Sequence, residues 1–176
     1  MKVYKLDFEV NKYENFIPEI PFDWETIQSF DGRKQADCWK RIKVHCMDPD
    51  KGLPLGDAPG FSLLPVFSRK ALDCLLPLIQ NHVEILPLDF EKEFFAINVI
   101  TVLDCIDYDR SIYNMFSDGK RIMAFKKYAF TSEINGIPIF KTIDENRRRG
   151  FVSEEFKRIV EANKLKGFDL KLVWQG

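Results

Sequence analysis

The side chains best suited to acid–base, nucleophilic or metal chemistry in this chain are His45 and His82, with Cys38, Cys46, Cys74 and Cys105. The cysteines form no CxxC pair, so neither a zinc knuckle nor a dithiol redox couple is supported. His45 neighbours Cys46, but adjacent strand residues point to opposite faces and cannot act as a pair. His82 falls at the expected end of a helix, where an imidazole suits the helix dipole. Asp104, Asp107 and Asp109 invite a carboxylate cluster, yet no histidine lies near them and the EF-hand spacing is absent. The DPDKG loop fails the same test, because Leu53 stands where calcium loops need Gly. Ser68 and Ser153 lie in no GxSxG turn and read as helix caps. No GxGxxG or P-loop occurs. The expectation is a chain that is not an enzyme, with no catalytic, cofactor or metal residues.

Charge gives a different kind of candidate. The 176 residues carry 26 Lys+Arg against 27 Asp+Glu, which removes any whole-chain attraction to nucleic acid or anionic membrane. The even total hides an uneven distribution. Residues 84–109 hold Glu84, Asp89, Glu91, Glu93, Asp104, Asp107 and Asp109 against Lys92 alone. If these acids gather at one end of a sheet they form a partner-binding surface that attracts and orients a basic protein. Neutralisation by the basic stretch 110–176 is the competing reading. Arg147, Arg148 and Arg149, with the face Trp39, Arg41, Lys43 and His45, could contact phosphate, but without a basic excess a solvated face is favoured.

These residues need elements to hold them. Hydrophobic residues make up 45% and aromatics 14% of the chain, with 16 Phe, which excludes a disordered or low-complexity class. The length fits one domain, residues 1–176. MKVYKLDFEV alternates as a strand and lacks the basic start and apolar block of a signal peptide. The longest apolar stretch, Phe94 to Leu103, is about half of what a membrane helix needs. With free thiols, this points to the reducing cytoplasm.

Trp39 to Met47 also alternates, whereas residues 48–60, rich in Pro and Gly, read as a surface loop. An internal repeat follows. FSRKALDCLLPLIQNHVEILPL (67–88) aligns without a gap on VSEEFKRIVEANKLKGFDLKLV (152–173). Each copy reads as strand, Ser N-cap, helix, strand, unless the match is coincidence between two helix–strand units. In the first copy Pro77 should kink or end the helix near Leu76. In the second, Gly167 stands where a C-cap belongs. Arg69 and Lys70 open the first helix against its dipole, so the acidic block should compensate them. FFAINVITVLD reads as a strand buried on both faces, Arg121 to Phe130 as another, and Ile137 to Lys141 as an edge strand held there by Pro138. The fold class is α+β: one domain with a mixed or mostly antiparallel sheet of about seven strands and two or three helices.

The segments LPVFSRKAL, EILPL, FAINVITVLDCIDYDRS, IPIFK and FVSEEFKRIVEANKLKGFDLKLVW, with the opening MKVYKL, follow an order that resembles family eleven of the immunity proteins of bacterial polymorphic toxin systems. The resemblance covers residues 61–176 and the first strand; residues 11–60 lie outside it. It implies a cytoplasmic protein that binds and neutralises a toxin encoded beside it, and it brings no catalytic residues. The expected partner is therefore a cognate toxin, with no membrane. A small hydrolase-like enzyme is the alternative, needing a pocket that gathers two of His45, His82, Cys46, Asp104 and Asp107. A nucleic-acid-binding module is a weaker third. Free edges at Ile137–Lys141 and at the last strand would permit pairing between copies.

Overall fold

A computed structural model describes residues 1–21 and 29–176. Among these, twelve strands and two helices confirm the α+β class. They form four mostly antiparallel sheets rather than one sheet of seven strands.

The repeat is structural. Its first copy is β4 (Val66–Ser68), α1 (Arg69–Ile79) and β5 (Val83–Pro87). Its second is β11 (Phe151–Ser153), α2 (Glu154–Ala162) and β12 (Phe168–Gln175). In each, the predicted serine caps the helix: Ser68 Oγ accepts the Ala71 N–H and Ser153 Oγ the Phe156 N–H. Each pair of strands flanks a third that runs antiparallel to both. That strand is β6 (Phe94–Val99) in the first unit and β1 (Lys2–Phe8) in the second. The registers match as well. Phe67, Ile85 and Val83 face Phe95, Ile97 and Val99, while Val152, Leu170 and Phe168 face Tyr4, Leu6 and Phe8. One fold therefore occurs twice, its central strand supplied from after the first copy and from far before the second.

Both helices lie over one shared core that includes Phe67, Leu75, Ile97, Leu6, Val152 and Phe156. The opposite face of each unit needs its own cover. Over β4-β6-β5, the pair β2 (Phe16–Pro18) and β3 (Val44–Cys46) brings Phe16 and Val44, joined by Phe30 and Phe61 from the connecting segments, against Leu86, Phe94 and Ala96. The second unit is extended by β10 (Ile139–Thr142) and β7 (Val102–Leu103). Its back is covered by residues 105–134, with Tyr128, Phe130 and Ile134 on Val3, Phe140 and Phe151. Within this cover, β8 (Ile112–Met115) and β9 (Ile122–Lys127) form a separate two-stranded ribbon.

Several expectations are corrected. The helix α1 continues through Pro77 to Ile79. Pro77 and Asp73 are both exposed, so the carbonyl that loses its N–H partner can turn to water. β10 is interior, between β11 and β7, because Pro138 precedes the paired residues and contributes only its carbonyl, to the Ser153 N–H. The alternation at Trp39–Met47 yields a strand only over Val44–Cys46. The C-caps are Gln80 and Asn163, not His82 and Gly167. Gly167 has φ +92° for another reason: a Cβ there would stand 2.7 Å from the Ala58 carbonyl oxygen.

That contact belongs to the 48–60 loop, which is not simply a surface loop. Ala58, Pro59 and Gly60 are buried, and Asp57 bridges both repeat copies. Its carboxylate accepts the Ser68 hydroxyl and the Lys166 N–H, each at 2.9 Å. The residue types gave the turn, but not what lay beneath it.

Candidate interaction surface

The described residues assemble no metal site of three or more His, Cys, Asp or Glu side chains. His82 meets Thr101 at 2.9 Å (Nδ1 to Oγ1), and its carbonyl takes the Ile100 N–H, which ties the α1–β5 turn to the end of β6. His45 is exposed on β3, while Cys46 points into the cover of the first unit, where burial raises its thiol pKa. Burial pushes Cys105 up to about 12, so it packs as an inert thiol. None of His45, His82, Cys46, Asp104 and Asp107 lines a described cavity.

Of the candidate phosphate-contacting residues, Arg149, Trp39 and Lys43 are engaged in structure, whereas Arg41, His45, Arg147 and Arg148 are exposed. Arg149 bonds Asp7 and stacks on Phe8, 4.8 Å from its ring centre. Trp39 donates to the Pro87 carbonyl at 2.8 Å, and Lys43 pairs with Glu19 at 2.9 Å.

The seven acids of the 84–109 block fall into three places. Glu84 sits opposite Asn98 in the β5–β6 ladder. Its carboxylate accepts the backbone N–H groups of Gln35 and Ala36 and the Asn98 amide, so it anchors residues 35 and 36 to β5. Asp89, Glu91 and Glu93 flank the β5–β6 turn, at the other end of that ladder. There Glu93 holds Arg69 through two bonds of 3.0 and 3.2 Å, the compensation expected at the start of α1. Asp104, Asp107 and Asp109 come after β7, beyond the far end of β6. Asp104 and Asp109 are exposed, whereas Asp107 accepts the Arg110 N–H at 3.1 Å and forms a turn.

The last group borders a feature that charge alone did not reveal. Tyr108, Tyr113, Met115, Phe116, Ile122 and Ile143 line an open groove of about 510 Å³ along the β8–β9 ribbon. Lys120 and Arg121 stand at this groove together with Asp144. Large apolar side chains are normally covered, yet Phe116 is 42%, Met115 41% and Ile143 49% exposed. Aromatic residues, Met and Arg are the types enriched where proteins meet.

The groove is built rigidly. Ser111 bonds both backbone groups of Ala129, and Thr131 donates to the Cys105 carbonyl, closing the ribbon's base. At the tip, Asp118 accepts N–H groups from Lys120 and Arg121, bonds that lower its pKa, and Gly119 takes φ +65°. Arg121 then lies over Phe116, 5.0 Å from the ring centre. Partial burial and donation to Asp144 at 2.9 Å keep the Tyr108 hydroxyl protonated. A chain of rings runs inward: Tyr108 to Tyr113 at 6.1 Å, Tyr113 to Phe125 at 5.7 Å, Phe125 to Tyr128 at 4.9 Å, and Tyr128 to Phe130 at 5.8 Å. Surface anchors on such a chain are held before any partner arrives.

The sequence did carry a signal for this ribbon. Asp118-Gly119 between two apolar-containing runs is a hairpin turn pattern.

The sequence pattern of an immunity protein family (Imm11) matches residues 87–174, half of the chain. The chain belongs to this family. No curated protein matches it at a significant level. The Imm11 match spans β6 through β12 almost completely, and so contains the ribbon, its groove and the whole second repeat copy. No described helix of this Imm11 protein is long and apolar enough to cross a membrane.

Proposed function

We propose that this Imm11 protein neutralises a cognate bacterial toxin in the cytoplasm by stoichiometric binding, with no chemical step of its own. The observation that carries this reading is the exposed groove on the β8–β9 ribbon, whose rings are fixed in place by the chain leading to Tyr128 and Phe130. Burying a few such preset aromatics provides most of the affinity in a typical interface. Asp104, Asp107 and Asp109 lie near the Tyr108 side of the groove and supply its charge complementarity, guiding a basic toxin to the apolar anchors. Asp89, Glu91 and Glu93 form a second acidic edge that extends the surface if the toxin is large; Glu84 serves it only by holding residues 35 and 36 in place.

The test is growth rescue. The toxin encoded beside this protein is expressed in a naive bacterial host with and without it. Toxicity relieved by this chain, with both proteins co-purifying at one to one, is the expected result. Relief without a complex would replace binding by catalysis or by a change in the toxin's target. Toxicity that persists would overturn the immunity reading for that pair.

A further inference from the structure

The two repeat units differ in one respect that bears on association. In the first, the outer strand β5 is covered along its free side: Glu84 takes the N–H groups of Gln35 and Ala36, and the Pro87 carbonyl accepts Trp39. In the second, the equivalent strand β12 pairs with β1 on one side and, among the described residues, with no strand on the other.

The direction of its free backbone groups follows from β1. Leu6 N–H donates toward β11, to the Gly150 carbonyl, and Glu9 N–H donates toward β12, to the Gly167 carbonyl. Odd-numbered residues of β1 therefore face β12, and their partners Asp169 and Lys171 face back. Phe168, Leu170 and Leu172 turn their N–H and C=O groups outward. Val173 is a bulge, since Tyr4 pairs with Leu172 and Val3 with Trp174, so the regular run ends at Leu172.

We propose that β12 is a homodimer edge, pairing antiparallel with β12 of a second copy about a twofold axis at Leu170. This register is self-complementary. Leu170 meets Leu170 of the second copy, and Phe168 meets Leu172, each pair exchanging both backbone bonds. On the other face Asp169 stands opposite Lys171 of the second copy, twice. Among the described residues these two charges form an ion pair with each other, at 3.0 Å, with Lys171 65% exposed, so both can reach across. Leu172, 51% exposed in the single chain, gains apolar cover from Phe168. A shift of two residues would set Asp169 opposite Asp169 of the second copy, or Lys171 opposite Lys171 with the bulge drawn into the ladder. The ladder is short, so the dimer is weak and concentration-dependent.

Sedimentation equilibrium over a concentration series reads the association directly. Asp169→Lys sets like charges opposite each other and weakens dimerisation at least about fivefold; Lys171→Asp does the same. The double exchange D169K/K171D restores association to within about twofold. Amide exchange supplies the second readout in the unaltered chain. Leu170 and Leu172 amides slow as concentration rises, while those of Asp169 and Lys171, already facing β1, do not change. A chain that stays monomeric throughout the series, with Leu170 exchanging at a constant rate, overturns the proposal. So does a double exchange that fails to restore what each single reversal removes.

Discussion

The hydroxyl of Ser68 both caps α1 and holds Asp57: it accepts the Ala71 N–H at 3.1 Å and donates to Asp57 Oδ1 at 2.9 Å. Asp57 Oδ2 accepts the Lys166 N–H from the far end of the second copy. A single carboxylate therefore joins the start of one helix to the turn that follows the other. Asp57→Ala should lower unfolding free energy by about 2 kcal/mol, read from urea midpoints at constant slope, because a charged acceptor of the Ser68 O–H and the Lys166 N–H is lost. Ser153→Ala, which loses a cap alone, should cost about 1 kcal/mol, and Ser68→Ala more than Ser153→Ala. Equal costs for the two serines would mean that the Asp57 contact contributes nothing.

Lys141 gives a prediction with a sign. It is 2% exposed, donates to the Phe30 carbonyl at 2.6 Å, and burial lowers its pKa from 10.5 to about 8. Below about pH 8 both folded and unfolded chains hold the proton, and the full cost of a buried charge is present. Between about pH 8 and 10.5 the folded chain loses the proton first, so the unfolded state binds more protons and stability rises with pH. The gain approaches roughly 3 kcal/mol by the top of that window. Subtracting the stability profile of Lys141→Met isolates it from other titrations. A flat difference across the window would remove the buried ammonium from the account.

Truncating the groove should affect binding and spare the fold. Phe116→Ala or Tyr108→Ala is expected to weaken the toxin complex at least tenfold, about 1.4 kcal/mol or more, by calorimetry. Both side chains are partly exposed, so thermal midpoints should hardly move. Unchanged affinity in both variants would transfer the interface elsewhere.

The two acidic edges can be told apart by charge reversal at low salt. Asp104→Lys with Asp109→Lys should slow association about tenfold and flatten its salt dependence if the groove is the docking face. Asp89→Lys with Glu91→Lys should do less. The reverse order would place the toxin at the β5–β6 turn. Glu93 is best left alone in this series, since its loss would free Arg69 at the start of α1.

The legible and illegible parts of this fold divide along physical lines. The repeat could be read because a serine followed by an apolar-faced helix and a strand leaves a local pattern, and both copies kept it. β6 could be read because burial on both faces leaves an apolar run broken only by Asn98, although FFAINVITVLD forms two strands, β6 and β7, in different sheets rather than one. The ribbon was missed as a pair because its register slips twice, between Ile112 and Tyr113 and between Asn114 and Met115, which breaks the alternation that marks a strand. Residues 54–60 look like solvent-facing sequence because their role lies in contacts over a hundred residues away, through Asp57 and Gly167. The acidic block was visible as composition, but its distribution over both ends of β6 depends on tertiary path. So does the groove, whose Ile143 arrives from beyond β10.

The order of the central strands has a consequence for synthesis. β6 follows its own helix directly, so the first unit has all three of its strands by residue 99 and can close while the ribosome is still working. β1 is made well before its partners and waits longer. Its neighbours β11 and β12 are residues 151–175, so β1 has no strand to pair with until residue 151 and beyond have been made. Loop closure over that distance is slow compared with the first unit's short return. In an immunity protein of this design the second unit closes only once residues 151–175 have been made, and a ribosome that stalls before them leaves a folded first unit beside a bare apolar strand.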